Sequence, residues 1–140
     1  MAADAFRLSV VDRLDIIELY SRQSHLIDSG DSHGWAATFT HDGSFSSPTY
    51  KLTARGTSEL QDFAQSSNGA ALKRGEQFRH HVSEIVITST GADSADSSAY
   101  LMITATSSEG TRIDRSVVLH DRLVRDDGRW LFKSRETFRD

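Results

Sequence analysis

The sequence predicts an α+β protein in which three N-terminal helices cover one face of a strongly curved antiparallel sheet. Three observations carry this. The first half places apolar residues at helical spacing between short turn signals. The second half consists of four runs rich in β-branched and aromatic residues, "FRHHVSEIVITST", "SSAYLMITATSS", "RIDRSVVLHDRLVRDD" and "RWLFKSRETFR". The gaps between those runs, "GADSAD", "EG" and "DDG", are turn sequences that suit hairpins. With 140 residues, 37% hydrophobic and 26% charged, residues 1–140 read as a single domain with a real core.

Ser9 to about Asp28 reads as the first helix, with Val10, Leu14, Ile17 and Leu26 as its apolar positions. Gly30 in "DSGDSHG" suits a left-handed terminator, and Asp31 or Ser32 suits the cap of a second, short helix, "HGWAATF". Trp35 and Phe39 share one face of it. "THDG" then reads as a turn and "SFSSP" as a short strand. "RGTSELQDFAQ" reads as the third helix, with capping-box spacing between Ser58 and Gln61 and an apolar side at Leu60 and Phe63. "SSNGAALKRGEQ" reads as a small-residue, polar connection, and residues 66–77 as a candidate lid. The last strand ends at the C-terminus, so no tail is expected to close a pocket.

The net charge of −4 gives no basic stripe of the kind that binds nucleic acid. The first twenty residues carry acids throughout and no long apolar run, unlike a secretory signal or a membrane span. With no cysteine there is neither a disulfide nor thiolate chemistry, and a cytoplasmic location is expected. Phosphate-loop, dinucleotide and G-x-S-x-G patterns are absent, so no cofactor is expected. The six histidines, His25, His33, His41, His80, His81 and His120, include no H-x-x-x-H pair. A zinc site would have to be assembled from distant segments, and no metal is expected.

Two positions stand out. On a helix Asp28 lies within about 40° of Leu14, Ile17, Ser21 and Ser24, on the face read as apolar. An acid near a helix C-terminus also opposes the macrodipole. Either the helix has frayed there and Asp28 begins the turn, or the broken rules mark a site. Along "HHVSEIVI" His80, Val82, Glu84 and Val86 share one face, and His81, Ser83, Ile85 and Ile87 the other. One face would meet the helices and the other a partner or solvent. Each histidine is either a satisfied structural residue or a base whose tautomer a carboxylate fixes.

In this order, "IIELYSRQSHLIDSGDSHGWAATFTHDGSF", "RGTSEL", "RHHVSEIVI" and "RLVRDDGRWLFKSRE" resemble the SnoaL-like family of the nuclear transport factor 2-like superfamily, with its cone-shaped α+β barrel. The resemblance runs from about Val10 to Glu136. It is nearest to the branch of scytalone dehydratase and hexachlorocyclohexane dehydrochlorinase. It implies that Asp28 at the end of the first helix and His80 at the start of a central strand form a catalytic dyad, with His80 inward and His81 outward. Gln23 stands where related bile-acid dehydratases carry a tyrosine and the dehydrochlorinase a lysine. Tyr20, Tyr50, Tyr100, Arg112 and His120 are candidates to replace those electrophilic partners, and Trp35 to line the pocket. Asp121 in "LHDRL" matches the late-strand acid of some cyclases of the family.

The expected function is therefore that of a cofactor-free lyase or isomerase. It would act on a small, apolar, oxygenated ring compound as dehydratase, double-bond isomerase or cyclase. The alternative is a non-catalytic ligand-binding or accessory subunit of the same fold. A homodimer is expected, because a curved sheet leaves its convex face partly apolar, through His81, Ile85 and Ile87 or the "YLMI" and "SVVL" runs.

Overall fold

Helix α1 spans Val10–Asp28, and its N-cap Ser9 accepts a hydrogen bond from the backbone N–H of Asp12. The structure, a computed structural model, describes residues 7–140. The first six, part of the stretch read above for targeting signals, lie outside the described residues. Asp28 is the last helical residue, so the helix has not frayed before it. The apolar face differs from the expected one. Ile16, Leu19, Tyr20, Gln23 and Ile27 are buried, whereas Val10, Leu14 and Ile17 are 73%, 59% and 43% exposed. The core selects the row that includes Tyr20 and Gln23, because these two polar ends find partners inside.

Gly30 takes φ +82°, as its terminator role requires, and a Cβ there would lie 2.9 Å from the Asn68 side chain. Asp31 caps α2, Ser32–Ala36, through the N–H of Gly34. Strand β1, Phe39–Ser47, absorbs the expected "THDG" turn as a bulge. Phe39 pairs with Phe132, pairing resumes only at Ser44, and Gly43 sits where a Cβ would meet Phe39 Cβ at 2.9 Å. A single 3-10 turn, Pro48–Tyr50, leads to β2, Leu52–Arg55, a strand absent from the sequence reading.

Helix α3 runs over Gly56–Lys73, so the polar stretch expected to be a loose connection, and most of the candidate lid, is helix. Ala64 and Ala71 bury against the fold, and this packing overrides the weak helix propensity of "SSNG". The expected capping box is also displaced: Arg55 is the N-cap, and its N–H is held by the Glu59 carboxylate.

The four long strands follow as β3 (Gln77–Gly91), β4 (Ser94–Ser107), β5 (Gly110–Asp126) and β6 (Arg129–Arg139). Asp127 and Gly128, both at positive φ, close the last hairpin as a two-residue loop. The sheet order is β2-β1-β6-β5-β4-β3, antiparallel except where β1 joins β6 in parallel. It is a curved, open sheet with the three helices on its inner side. Ile16, Leu19, Tyr20, Leu60, Leu119, Leu123 and Phe132 are its most deeply buried large side chains.

Simple alternation fails in β3. Register shifts between Ser83 and Val86, with Glu84 at φ +53°. The bulge reverses the faces: His80 and Val82 point inward before it, Ile85 and Ile87 pack on the core after it, and Val86 turns out. The outer face is therefore not His81, Ile85 and Ile87. It carries His81 and Val86 together with Tyr100, Met102 and Phe138, and from "SVVL" Ser116 and Val118. Among the described residues no helix is long and apolar enough to cross a membrane.

Candidate active site

Between the helices and the inner face of the sheet lies a cavity of about 490 Å³. Its wall is mostly apolar, with Ile27, Trp35, Phe45, Phe63, Leu101 and Val117 among the lining residues. Trp35 and Phe63 pack at 5.7 Å between centroids, and Phe45 and Phe63 at 4.5 Å, forming an aromatic side under α2 and α3.

His80 reaches this cavity from β3. The end of α1 brings Asp28 against it at two points. One carboxylate oxygen accepts from the backbone N–H of His80 at 3.0 Å, and the other lies 2.6 Å from its Nδ1. Asp28 thus fixes both the strand and the ring. Gln77 ties the same corner by donating to the carbonyl oxygens of Asp28 and Phe78. In the neutral ring, with the carboxylate accepting, Nδ1 carries the proton and Nε2 keeps its lone pair. No protein group hydrogen-bonds Nε2 among the described residues. The pair is largely shielded, with side chains 14% and 9% exposed.

A second polar group sits deeper. Arg135 from β6 lines the cavity and pairs with Asp121 of β5 through Nε at 2.8 Å and Nη2 at 3.0 Å. Its Nη1 donates to Gln23 at 2.7 Å, and Gln23 donates to Thr38. Three of the five guanidinium protons are committed in this way, leaving two. The guanidinium stacks 4.7 Å from the Phe132 ring centroid. Burial works against its charge, but the Asp121 carboxylate more than offsets this and holds Arg135 above its ordinary range. Tyr20 donates to Asp121 and also meets Ser97. Burial, followed by the Asp121 charge, pushes the Tyr20 phenol well above its usual range.

The structure brings His80, Trp35 and Tyr50 to the cavity wall, with Asp28 behind His80 rather than on the wall and Tyr50 at the exposed rim accepting from Arg139 at 2.6 Å. Tyr20, Gln23 and Asp121 lie behind the wall, in the Arg135 network. Tyr100 and His120 fall on the outer face, because the alternation of β4 and β5 turns Leu101 and Leu119 inward instead. Arg112 is exposed, bridging Glu76 and Asp114 outside the cavity. Among the described residues no three His, Cys, Asp or Glu side chains cluster as metal ligands.

The sequence reading missed Arg135, Thr137, Arg139, Ser47 and Phe45 as lining residues. On β6 a register shift opposite Arg122 and Leu123 changes the alternation after Phe132. This puts Arg135, rather than an apolar residue, on the inner face. Arg135 is one of five charged residues in "RWLFKSRETFR", so nothing local singled it out.

A curved antiparallel sheet, three covering helices and a cavity holding a carboxylate–imidazole pair define a class of small pocket-forming α+β proteins. Within that class the chain belongs to the SnoaL-like domain family, which it matches over residues 9–136. Aln2 from a Streptomyces species is similar at 27% identity and a TM-score of 0.85, over 95% of this chain and 93% of that one. ActVI-ORFA from Streptomyces coelicolor is similar at 26% identity and a TM-score of 0.81, over 91% of this chain and 97% of that one. An NTF2-like protein with a cystatin-like fold from Novosphingobium aromaticivorans, at 22% identity, shares the fold with a TM-score of 0.83 over 93% of this chain and 82% of its own. No curated protein matches the chain.

Proposed function

We propose that the protein is a cofactor-free lyase or isomerase acting on a small, apolar, oxygenated ring compound, with His80 as general base and Asp28 as its positioning residue. The observation that carries this reading is the double contact of Asp28 with His80, which leaves Nε2 as the free acceptor of a residue lining an apolar cavity. Nε2 takes a proton from a carbon next to a carbonyl, or from a hydroxyl. The electron pair moves toward the carbonyl oxygen or into a new double bond. The imidazolium then returns the proton to a departing hydroxyl, which leaves as water, or to another carbon, which completes an isomerisation. The two uncommitted N–H groups of Arg135 make it a candidate for supporting negative charge that develops on a substrate oxygen. The apolar wall strengthens each of these interactions by excluding water.

The test is a screen of hydroxylated and ketonic ring compounds for elimination or isomerisation, followed by His80→Ala. Loss of general-base catalysis lowers turnover by about 10²–10⁴-fold, with an unchanged thermal unfolding curve. Unchanged turnover removes His80 from the role.

We also infer a homodimer formed through the outer face of the sheet. Val86, Tyr100, Met102 and Phe138 are exposed there on strands β3, β4 and β6. A two-fold axis through this face would set the patch against its own copy and remove it from water. Light scattering at micromolar concentration should give twice the chain mass, and Tyr100→Glu should halve it.

A further inference from the structure

One lining residue has no part in the chemistry above. Ser47, the last residue of β1, borders the cavity but is 3% exposed, and its hydroxyl is enclosed without a hydrogen-bond partner, so that a turn about the Cα–Cβ bond brings it to a ligand. Buried hydroxyls are almost always bonded, so an orphan on a cavity wall points to a ligand atom. A second observation agrees. Ser47 occupies the N-cap position of the Pro48–Tyr50 turn, where a serine ordinarily bonds the first free N–H groups, yet it makes no cap bond. Pro48 holds Ser47 extended, at φ −130° and ψ 97°.

The surroundings of Ser47 set what it would bind. Ser46 registers with Glu136, so Ser47 and Thr137 are neighbours on the inner face, between Arg135 and Arg139. Thr137 commits its proton to the carbonyl oxygen of Ser46 at 3.4 Å. Arg135 and Arg139 are donors only. This wall therefore offers protons and positive charge, and suits an acceptor oxygen with partial negative charge. His80 belongs to β3, four steps from β1 in the sheet order, and lines the same cavity because the sheet curls. A ligand between them is held at one end by its oxygen and presents the other to Nε2.

We propose that Ser47 is a specificity-determining residue that anchors a carbonyl oxygen of the ring ligand on the β1–β6 wall. This rests on the reading of the cavity as the substrate site, but not on the role given to His80. Two-point attachment fixes which ring atom faces the imidazole, so loss of the anchor loosens regiochemistry as well as affinity.

The experiment compares 1-tetralone with tetralin, one bicyclic skeleton with and without a carbonyl. Binding is followed by methyl NMR of the cavity residues Ile27, Ile103 and Val117. The wild type should prefer the ketone by about tenfold, the effect of one well-placed buried hydrogen bond. Ser47→Ala should bind both alike, and Ser47→Cys, a weak donor of nearly the same shape, should fall between. The methyl spectrum also reports whether each variant is folded. His80→Ala should keep the preference. Equal affinities in the wild type, no binding of the ketone, or a preference that survives in Ser47→Ala overturns the proposal. The outcomes separate the two readings: a preference that collapses in Ser47→Ala while His80→Ala retains turnover removes the base and leaves the anchor. The converse pattern removes the anchor and leaves the base.

Discussion

Two shielded carboxylates, Asp28 and Asp121, each lie against a nitrogen group and differ in what they leave free. Asp28 grips His80 from one side, and Nε2 remains open. Asp121 is saturated: Arg135 reaches both of its oxygens and Tyr20 donates to one of them. The first pair joins a helix end to a strand at the cavity edge, while the second lies deeper, with Arg135 on the cavity wall and Asp121 behind it, 6% and 3% exposed. The ingredients are alike, but a site that exchanges protons needs an unsatisfied nitrogen and a reachable ligand. A structural carboxylate needs its charge and both oxygens engaged, as those of Asp121 are, even though Arg135 keeps two N–H groups uncommitted. Hence Asp121, a candidate from the sequence, holds Arg135 in place, and Asp28 is the carboxylate we propose for the chemistry.

The strongest way to break this contrast is Asp121→Ala. It strands a buried guanidinium and should lower unfolding stability by about 3–5 kcal/mol in urea titrations. Replacing Asp121 and Arg135 together with leucine and methionine should recover most of that loss. A cost under about 1 kcal/mol for the single change would show that the network is not structural. Asp28→Asn tests the other side. It should lower turnover by about 10²-fold, the low end for general-base effects, while changing stability by only about 1 kcal/mol. Long-range ¹H–¹⁵N spectra of His80 should show the Nδ1–H tautomer in the wild type and a shift toward Nε2–H in Asp28→Asn. An unchanged tautomer would mean that Asp28 does not set the ring.

The same contrast explains what was legible in the sequence. Asp28 drew notice as an acid at a helix C-terminus, although the apolar face it was thought to share with Leu14 and Ile17 is exposed. Strand alternation left His80 and His81 as alternatives, and the family resemblance chose His80. The helix-strand order gave the α+β class because periodicity is a local property. What escaped is non-local. The bulge at Glu84 and the register shift on β6 change which residues face inward, and alternation cannot register a single extra residue. Leu14 and Ile17 read as core because they are apolar, yet the fold buries Tyr20 and Gln23, whose partners Asp121 and Arg135 lie more than a hundred residues away in the chain. Helix α3 continues through "SSNG" because Ala64 and Ala71 pack beneath it, a tertiary contribution that propensity omits.

A third carboxylate is a control with a smaller expected effect. Asp12, in the first turn of α1, accepts from Arg125 and from the Trp130 indole, pinning the helix start to the β5–β6 hairpin. Burial acts to raise its pKa, but the Trp130 and Ser9 hydrogen bonds and the Arg125 charge together hold the carboxyl below the ordinary range. The sign follows from linkage. A carboxyl that is more acidic when folded adds its full stabilisation above about pH 4, the ordinary value, and loses it as pH falls through the lowered one. Asp12→Asn should therefore lower stability by about 0.5–1.5 kcal/mol near neutrality. The gap between variant and wild type should close as the solution is acidified below about pH 3. Turnover should be unaffected, because Asp12 contacts neither the cavity nor the network behind it. A gap that stays constant down to about pH 2 would show that the Asp12 charge does not hold the helix to the hairpin. A fall in turnover instead would mean that the α1 start and the dyad at its far end are mechanically coupled. In that case the division between a reactive carboxylate and merely structural ones would not hold along this helix.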